Sequence, residues 1–273
     1  MSHTIAQRFT LGDLTITALI LGEICDTVAD RFESGPLTGA GAPSRLPVIC
    51  LHVAGPGLSV LIDACDPRQY PVTGTEPVGI CTALRGAGCP PEGVTHVILT
   101  HGHHDHFCGV WDTDTDQANF PNARHILSAR DWGDATLTAA AQHADGPAAD
   151  PRPLEQLLGL GLLDLDTCTP ALPPALTLID APGETDGHRV VRLCSQGQVF
   201  FFLADLFHLP AEIEMPDLCP VWADAAALNT SRRLLLDAIL KSDARFMCSH
   251  MSEVFTAEMF SSSRSLVAPR SLK

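Results

Sequence analysis

Four histidines and one aspartate fall within positions 101–106 of the stretch Thr100-His101-Gly102-His103-His104-Asp105-His106. On extended backbone, side chains two residues apart point the same way, so His101 and His103 can grip a single cation. Asp105 and His106 lie where the chain turns and can reach a second cation a few ångströms away. Imidazole and carboxylate are ligands that zinc, iron and manganese accept. A His-rich surface loop could carry the same residues. This cluster, however, ends an apolar run, Val94 to Thr100, that reads as a buried strand, and further candidate ligands follow it. The stretch reads as a metal site.

Two-metal sites hold their ions roughly 3.5–4 Å apart and clamp the reacting oxygen between them. About seven protein ligands are needed for such a pair, one of them bridging. His101, His103, Asp105 and His106 supply the first of these. The others are expected at the ends of neighbouring strands, which converge on one rim. Glu184 after the 176–180 strand, Asp205 after Phe200-Phe201-Phe202-Leu203-Ala204 and His250 after Phe246-Met247-Cys248-Ser249 fit this description. Asp205 in particular would be a costly buried charge without a cation.

These residues need elements to position them. Leu14 to Ile20 alternates as an opening strand. Leu46–Val53 and Leu58–Ile62, separated by Ala54-Gly55-Pro56-Gly57, read as a β-hairpin. Asp63 closes that hairpin and either supports a ligating histidine from behind or caps the strand. Residues 78–88 fit a helix with Ile80, Leu84 and Ala87 on one face, and 125–127 with 129–132 form a second strand-then-helix unit. Loops are expected at 30–44 and across an insertion at 134–155 that could lie by the site. Strands follow at 176–180, 188–194 and 199–203. A helix spans 223–240, with Leu228, Leu235, Ala238 and Ile239 on its buried stripe and Arg232 and Arg233 off it. A last strand, 246–249, leads to His250. The expected organisation is one domain over 1–260 and a polar tail over 261–273.

Composition bounds the function classes. The 273 residues can bury a large core, and 45% hydrophobic content is that of a globular chain. The 17 basic and 32 acidic residues leave a net charge of −15, which disfavours nucleic acid as a partner. The N-terminus lacks the apolar core of a signal peptide, and no run approaches the ~20 apolar residues that span a bilayer. Ten scattered cysteines without a CxxC pair point to reduced core thiols in a cytoplasmic protein, with Cys108 a small buried residue behind the site. The partner expected is a small-molecule substrate, with no nucleic acid and no membrane; a homodimer is admitted.

The order His-x-His-x-Asp-His, then Pro182-Gly183-Glu184-Thr185-Asp186-Gly187-His188, then strand-Asp205 and strand-His250 resembles the metallo-β-lactamase superfamily over roughly residues 14 to 250. Phe120-Pro121-Asn122-Ala123, and Ala204-Asp205-Leu206-Phe207-His208 followed by Pro210-Ala211, resemble its branch of methyl parathion hydrolase-like proteins and acyl-homoserine lactonases. Lactonases of that branch usually carry Tyr where this chain has His208, which fits the methyl parathion hydrolase-like group better. The resemblance implies an α/β (α+β) fold, a four-layer αββα sandwich with two divalent metal ions, zinc first, at one edge of its sheets. His101, His103 and the third-ligand position would hold one ion. Asp105, His106 and His250 would hold the other, with Asp205 bridging and Asp105 serving as the catalytic group that orients a metal-bound hydroxide.

One position departs from the family pattern, Pro-Gly-Glu-Thr in place of Pro-Gly-His-Thr. Some alkylsulfatase-like members carry Glu there. Two divalent ions bring +4; Asp105, Asp205 and Glu184 leave +1, and a hydroxide makes the cluster neutral, where a histidine would have left +1. The harder ligand tilts preference toward manganese or iron. The alternative is that Glu184 swings away and leaves its site poorly filled. His188 is usually not a ligand in the family; His104 is expected to face solvent, and His125 and His143 to lie on the surface. His208 is a substrate-side candidate or a structural residue, and Phe107, Trp111 and Phe207 are pocket wall or core. The function implied first is a metal-dependent hydrolase of an ester, lactone or phosphotriester. An iron-dependent oxygenase on the same fold, resembling persulfide dioxygenases, and a catalytically degraded member that only binds remain as alternatives.

Overall fold

The computed structural model describes residues 5–32, 43–137, 150–166 and 172–257. Its first half runs β1 (Ile5–Leu11), β2 (Leu14–Thr27), α1 (Val28–Arg31), β3 (Pro43–Gly55), β4 (Leu58–Ile62), α2 (Ile80–Gly86), β5 (His96–Ile98), α3 (His104–Phe107), β6 (Trp111–Asp112), β7 (Gln117–Ala118), β8 (Arg124–Ser128), α4 (Ala129–Leu137), α5 (Arg152–Gly159) and β9 (Leu163–Asp166). The second half runs β10 (Leu176–Asp180), β11 (Arg189–Ser195), β12 (Gln198–Phe202), α6 (Pro210–Glu214), α7 (Ala225–Ser242), β13 (Arg245–Cys248) and β14 (Met251–Phe255).

Period-two burial sorts the strand side chains onto opposite faces. In β2 to β4, Leu14, Ile16, Ile49, Leu51, Val60 and Ile62 join one core. Their neighbours Leu19, Val48, Cys50 and Leu61 join another, with Ile80 and Leu84 of α2 and Leu154 and Leu157 of α5. The later strands split in the same way. Val191, Leu193, Phe200 and Phe202 meet the first group between the sheets, whereas Val190 and Phe201 pack with Leu228, Leu235 and Ile239 of α7. Three apolar cores separate four layers, the expected αββα sandwich.

One sheet has the order β1-β2-β3-β4-β5-β8-β9 and the other β10-β11-β12-β13-β14, with β6 and β7 a separate pair. Strands β4, β5, β8 and β9 are parallel. In the second sheet β11 runs against both β10 and β12, and β13 runs with β12. The carboxyl ends of β4, β5, β10, β12 and β13 therefore lead to Asp63, the histidine cluster, Glu184, Asp205 and His250. Two backbone bonds join the sheets there: Arg189 N–H donates to Thr100 O at 2.9 Å and Ile49 N–H to Ser249 O at 2.7 Å.

Strands β1, β9 and β14 and helix α5 extend the sequence reading, and β2 runs on to Thr27. The loop expected at 30–44 and the insertion at 134–155 lie largely outside the described residues, as do His143, Cys168 and the 261–273 tail. The cysteines among the described residues are unpaired. No described helix is long and apolar enough to cross a membrane.

Candidate metal centre

The histidine cluster is aimed by what lies behind it. Asp63, at φ 59° in the left-handed region that Asp tolerates, closes β4. Its carboxylate accepts from Thr100 N–H at 2.8 Å and Thr100 Oγ1 at 2.9 Å, and pairs with His106 Nδ1 at 2.9 Å. His103 has extended backbone and caps the single turn of α3, which swings Asp105 and His106 round to the same side. Ala204 bends the chain at φ 49° directly before Asp205, and Ser249 N–H donates back to Ala204 O at 3.0 Å. His250 Nδ1 lies 2.9 Å from Pro47 O, turning Nε2 inward. Second partners of this kind fix the tautomer and direction of a metal-ligating imidazole.

The inward atoms converge. Asp205 Oδ1 lies 3.3 Å from His106 Nε2, and its Oδ2 lies 3.1 Å from His250 Nε2 and 3.7 Å from His101 Nε2. His106 Nε2 is 3.3 Å from Asp105 Oδ2, and His103 Nδ1 is 3.3 Å from Glu184 Oε1. Three sets of donor atoms lie within 4.8 Å of one another among the described residues: His101, His103, Glu184 and Asp205; Asp105, His106 and His250; and Asp205, His208 and His250. His101 Nε2, His106 Nε2, Asp105 Oδ2, Glu184 Oε2 and Asp205 Oδ1 are buried with no hydrogen-bond partner among the described residues. Buried polar atoms are rarely left so; five of them within these donor sets fit divalent cations. Asp105, Glu184 and Asp205 line a cavity of about 30 Å³, room for about two water-sized bodies, with Ile24, Arg31 and Trp222 also in its wall.

Electrostatics favours the same donor set. Burial pushes the Asp105 carboxyl up, but His106 and His250 outweigh it and hold it well below the usual range. Asp205 is held low against burial by His106, His250 and His101, and Glu184 by His208 and His103. Burial, reinforced by His106 and His103, drives His101 far down and leaves its ring neutral. Ionised carboxylates beside the neutral His101 ring are what a divalent cation takes up; His103 and His106, raised against burial by the neighbouring carboxylates, would release a proton on binding it.

Several residues that sequence reasoning missed hold the site together. Asp131, fully buried on α4, accepts from Gly102 N–H at 2.9 Å, Thr185 Oγ1 at 2.8 Å and Gly187 N–H at 2.5 Å. It staples the loop of His101 and His103 to the loop of Glu184. Trp222 Nε1 donates to Glu184 Oε1 at 2.6 Å, so Glu184 faces the site with its other oxygen unpaired. Gly183, at φ 139°, runs against the α7 backbone at Leu228, where no Cβ fits. Arg232 of α7 is fully buried and donates to Glu212 at 2.5 Å.

Some expectations are corrected. His104 is buried, not solvent-facing, because the turn of α3 brings Nδ1 to 3.0 Å from Tyr70 Oη and sets the ring edge-on to Phe107. His125 is fully buried, not superficial: it is the second residue of β8, inside the sheet, with Nδ1 3.3 Å from Leu162 O. Arg232 belongs to the buried side of α7, since a guanidinium can be enclosed when carbonyls and a carboxylate surround it. Phe107, Trp111 and Phe207 are core residues and not pocket wall. His188 points Nδ1 at Ala181 O and accepts at Nε2 from Asp205 N–H, so both its nitrogens are engaged outside the metal-facing set. Cys108 is buried, its Sγ accepting from Asp66 N–H. His208 does reach the cavity.

Solved structures repeat this architecture. A hydrolase of the beta-lactamase superfamily, AbOPH, superposes with a TM-score of 0.75 at 20% identity, over 93% of this chain and 92% of its own. A probable metal-dependent hydrolase from Staphylococcus aureus gives 0.73 at 18%, over 89% and 91%. The dizinc quorum-quenching lactonase AidC, in complex with N-hexnoyl-L-homoserine as product, gives 0.71 at 22%, over 90% of both chains. No curated protein matches the chain. The family model of the metallo-beta-lactamase superfamily matches residues 46–250, from β3 through the last of the clustered histidines, and the chain belongs to that superfamily.

Proposed function

We propose that this protein is a hydrolase dependent on two divalent cations, acting on a small neutral ester, lactone or phosphotriester. In this reading His101, His103 and Glu184 hold one cation, Asp105, His106 and His250 hold the other, and Asp205 bridges. The observation that carries it is the clustering of buried donor atoms within 4.8 Å of one another, five of them without a hydrogen-bond partner among the described residues. Bound cations would lower the pKa of a water and polarise the acyl or phosphoryl oxygen. Asp105 would orient the attacking water through Oδ2 and pass its proton toward the leaving group. Similarity to structures described as hydrolases and a dizinc lactonase favours hydrolysis with zinc. Glu184 admits manganese or iron. The reading takes residues 1–260 as one domain and, from the unpaired cysteines, places the protein in the cytoplasm.

Metal analysis of the purified protein, paired with turnover assays on the three substrate types, tests this. Two equivalents of metal per chain are expected, with hydrolysis abolished by a chelator and restored by zinc or manganese. A single equivalent of iron with oxygen consumed on thiol substrates would overturn it in favour of an oxygenase.

A further inference from the structure

We propose that His208 is a further metal ligand, binding through Nε2 to the cation that Asp205 and His250 hold. This rests on the metal-dependent reading above. Donor atoms of Asp205, His208 and His250 lie within 4.8 Å of one another. His208 Nε2 is 3.4 Å from Asp205 Oδ2 and 3.6 Å from Glu184 Oε1. Its ring stacks on that of His250, centroids 5.3 Å apart and planes 9° from parallel, so both present the same edge to Asp205.

The ring points the same way as the other inward histidines, although its Nδ1 makes no hydrogen bond among the described residues. His106 and His250 turn Nδ1 to an oxygen and Nε2 to the cavity. His208 turns Nδ1 toward Glu212 Oε2, 3.7 Å away. That carboxylate is fixed: it accepts from the backbone N–H of His208 at 2.6 Å and Leu209 at 2.7 Å, and from Arg232 Nη2 at 2.5 Å. Arg232 in turn donates to Leu206 O at 2.7 Å, so the turn that carries Asp205 and His208 is gripped from both sides. A fully buried Arg–Glu pair carries a large desolvation cost. Here it fixes the backbone of the turn that carries His208, with Glu212 Oε2 on the Nδ1 side of the ring at ion-pair distance and not in a hydrogen bond. With Asp105, His106, His250, Asp205 and His208 around it, this cation would be left one open position in an octahedral shell. That shell suits manganese or iron better than tetrahedral zinc.

The test loads the full chain, carrying nitrogen-labelled histidine, with spin-active cadmium and reads scalar coupling between cadmium and each imidazole by NMR. Coupling is expected at His208 as well as at His101, His103, His106 and His250. The His208 signal is recognised in the wild type by its contact with the Trp222 ring, 5.9 Å away, and by its loss in His208→Gln. Coupling at the other four histidines but not at His208 overturns the proposal and leaves the metal-dependent reading standing. No coupling anywhere overturns both. Chelator competition gives a second measure: His208→Gln should weaken binding of the second equivalent roughly 10- to 100-fold or more, and equal affinity counts against ligation.

Discussion

At the scale of single residues, the site divides into donors and the groups that hold them. Glu184 is the proposed donor on the loop before β11, and Trp222 fixes one of its oxygens at 2.6 Å. If Glu184 ligates, Glu184→His should keep both metals, move preference from manganese or iron toward zinc, and change the hydrolytic rate. Unchanged stoichiometry, preference and rate in metal analysis and kinetics would remove Glu184 from the ligand set. Asp131 is a positioning residue. A carboxylate only accepts, and Asp131 accepts from Gly102, Thr185 and Gly187 together. Asp131→Asn would turn an amide donor against at least one of these donors, costing about 1–3 kcal/mol of stability. Metal affinity should fall roughly 10- to 100-fold as the two loops lose register; chemical denaturation and chelator titration measure the two effects. His101 to His106 were legible because every donor falls in one short run. Asp131 was not, since its partners are backbone and hydroxyl groups from loops distant in sequence, and a lone Asp after a strand looks like any helix start.

Elements were legible where one face is apolar and the pattern long, as in β2, the β3–β4 hairpin, α2 and α7. The reading weakened where tertiary context overrides pattern. Strand β14 begins almost directly after β13, and β1, with Gln7, Arg8 and Thr10 among its residues, shows little of its role as a sheet edge. Helix α7 is the instructive case. Its apolar stripe follows from the helical period, whereas Arg232, off that stripe by residue type, is enclosed. Its partners, Glu212 and the carbonyls of Leu206, Pro216 and Leu218, lie in a segment without visible periodicity. The cost of breaking this pair follows from its burial. Arg232→Met should destabilise by about 3–5 kcal/mol by leaving Glu212 charged and enclosed, and adding Glu212→Gln, which removes the charge and keeps an oxygen for the His208 and Leu209 N–H groups, should recover part of that. Denaturant midpoints of the single and double variants decide it; equal losses in both would show that the pair is not the source. Where α7 meets the site loop, Gly183→Ala should also destabilise, because φ 139° and the Leu228 backbone leave no place for a methyl group.

Across the whole molecule, net charge and buried histidines pull stability in different directions as pH falls. Protonating carboxylates relieves the −15 imbalance, but it also discharges the acidic groups that the site holds ionised. Away from the site, His125 is fully buried in the first sheet, and burial pushes its pKa down to about 4, with the Leu162 carbonyl opposing that shift. In the unfolded chain the same imidazole titrates near its ordinary value of 6.5. Between these values the unfolded state binds a proton that the folded state refuses, so stability is complete above about pH 6.5 and is lost as pH falls toward 4. A shift of this size corresponds to roughly 3 kcal/mol at its limit. His52, whose pKa burial also lowers to about 4, acts in the same sense. Carboxylates contribute to acid unfolding as well, so the wild-type curve alone cannot isolate the histidine; the difference between two proteins can. His125→Gln keeps a donor for Leu162 O and removes the titration. It should be less stable than wild type at pH 7 through lost packing, and the gap should close or reverse by about 2–3 kcal/mol on going to pH 4. Parallel stability curves for the two proteins from pH 7 to 4 would mean that His125 takes up its proton in the folded state, and that the first sheet opens to water where it is now closed.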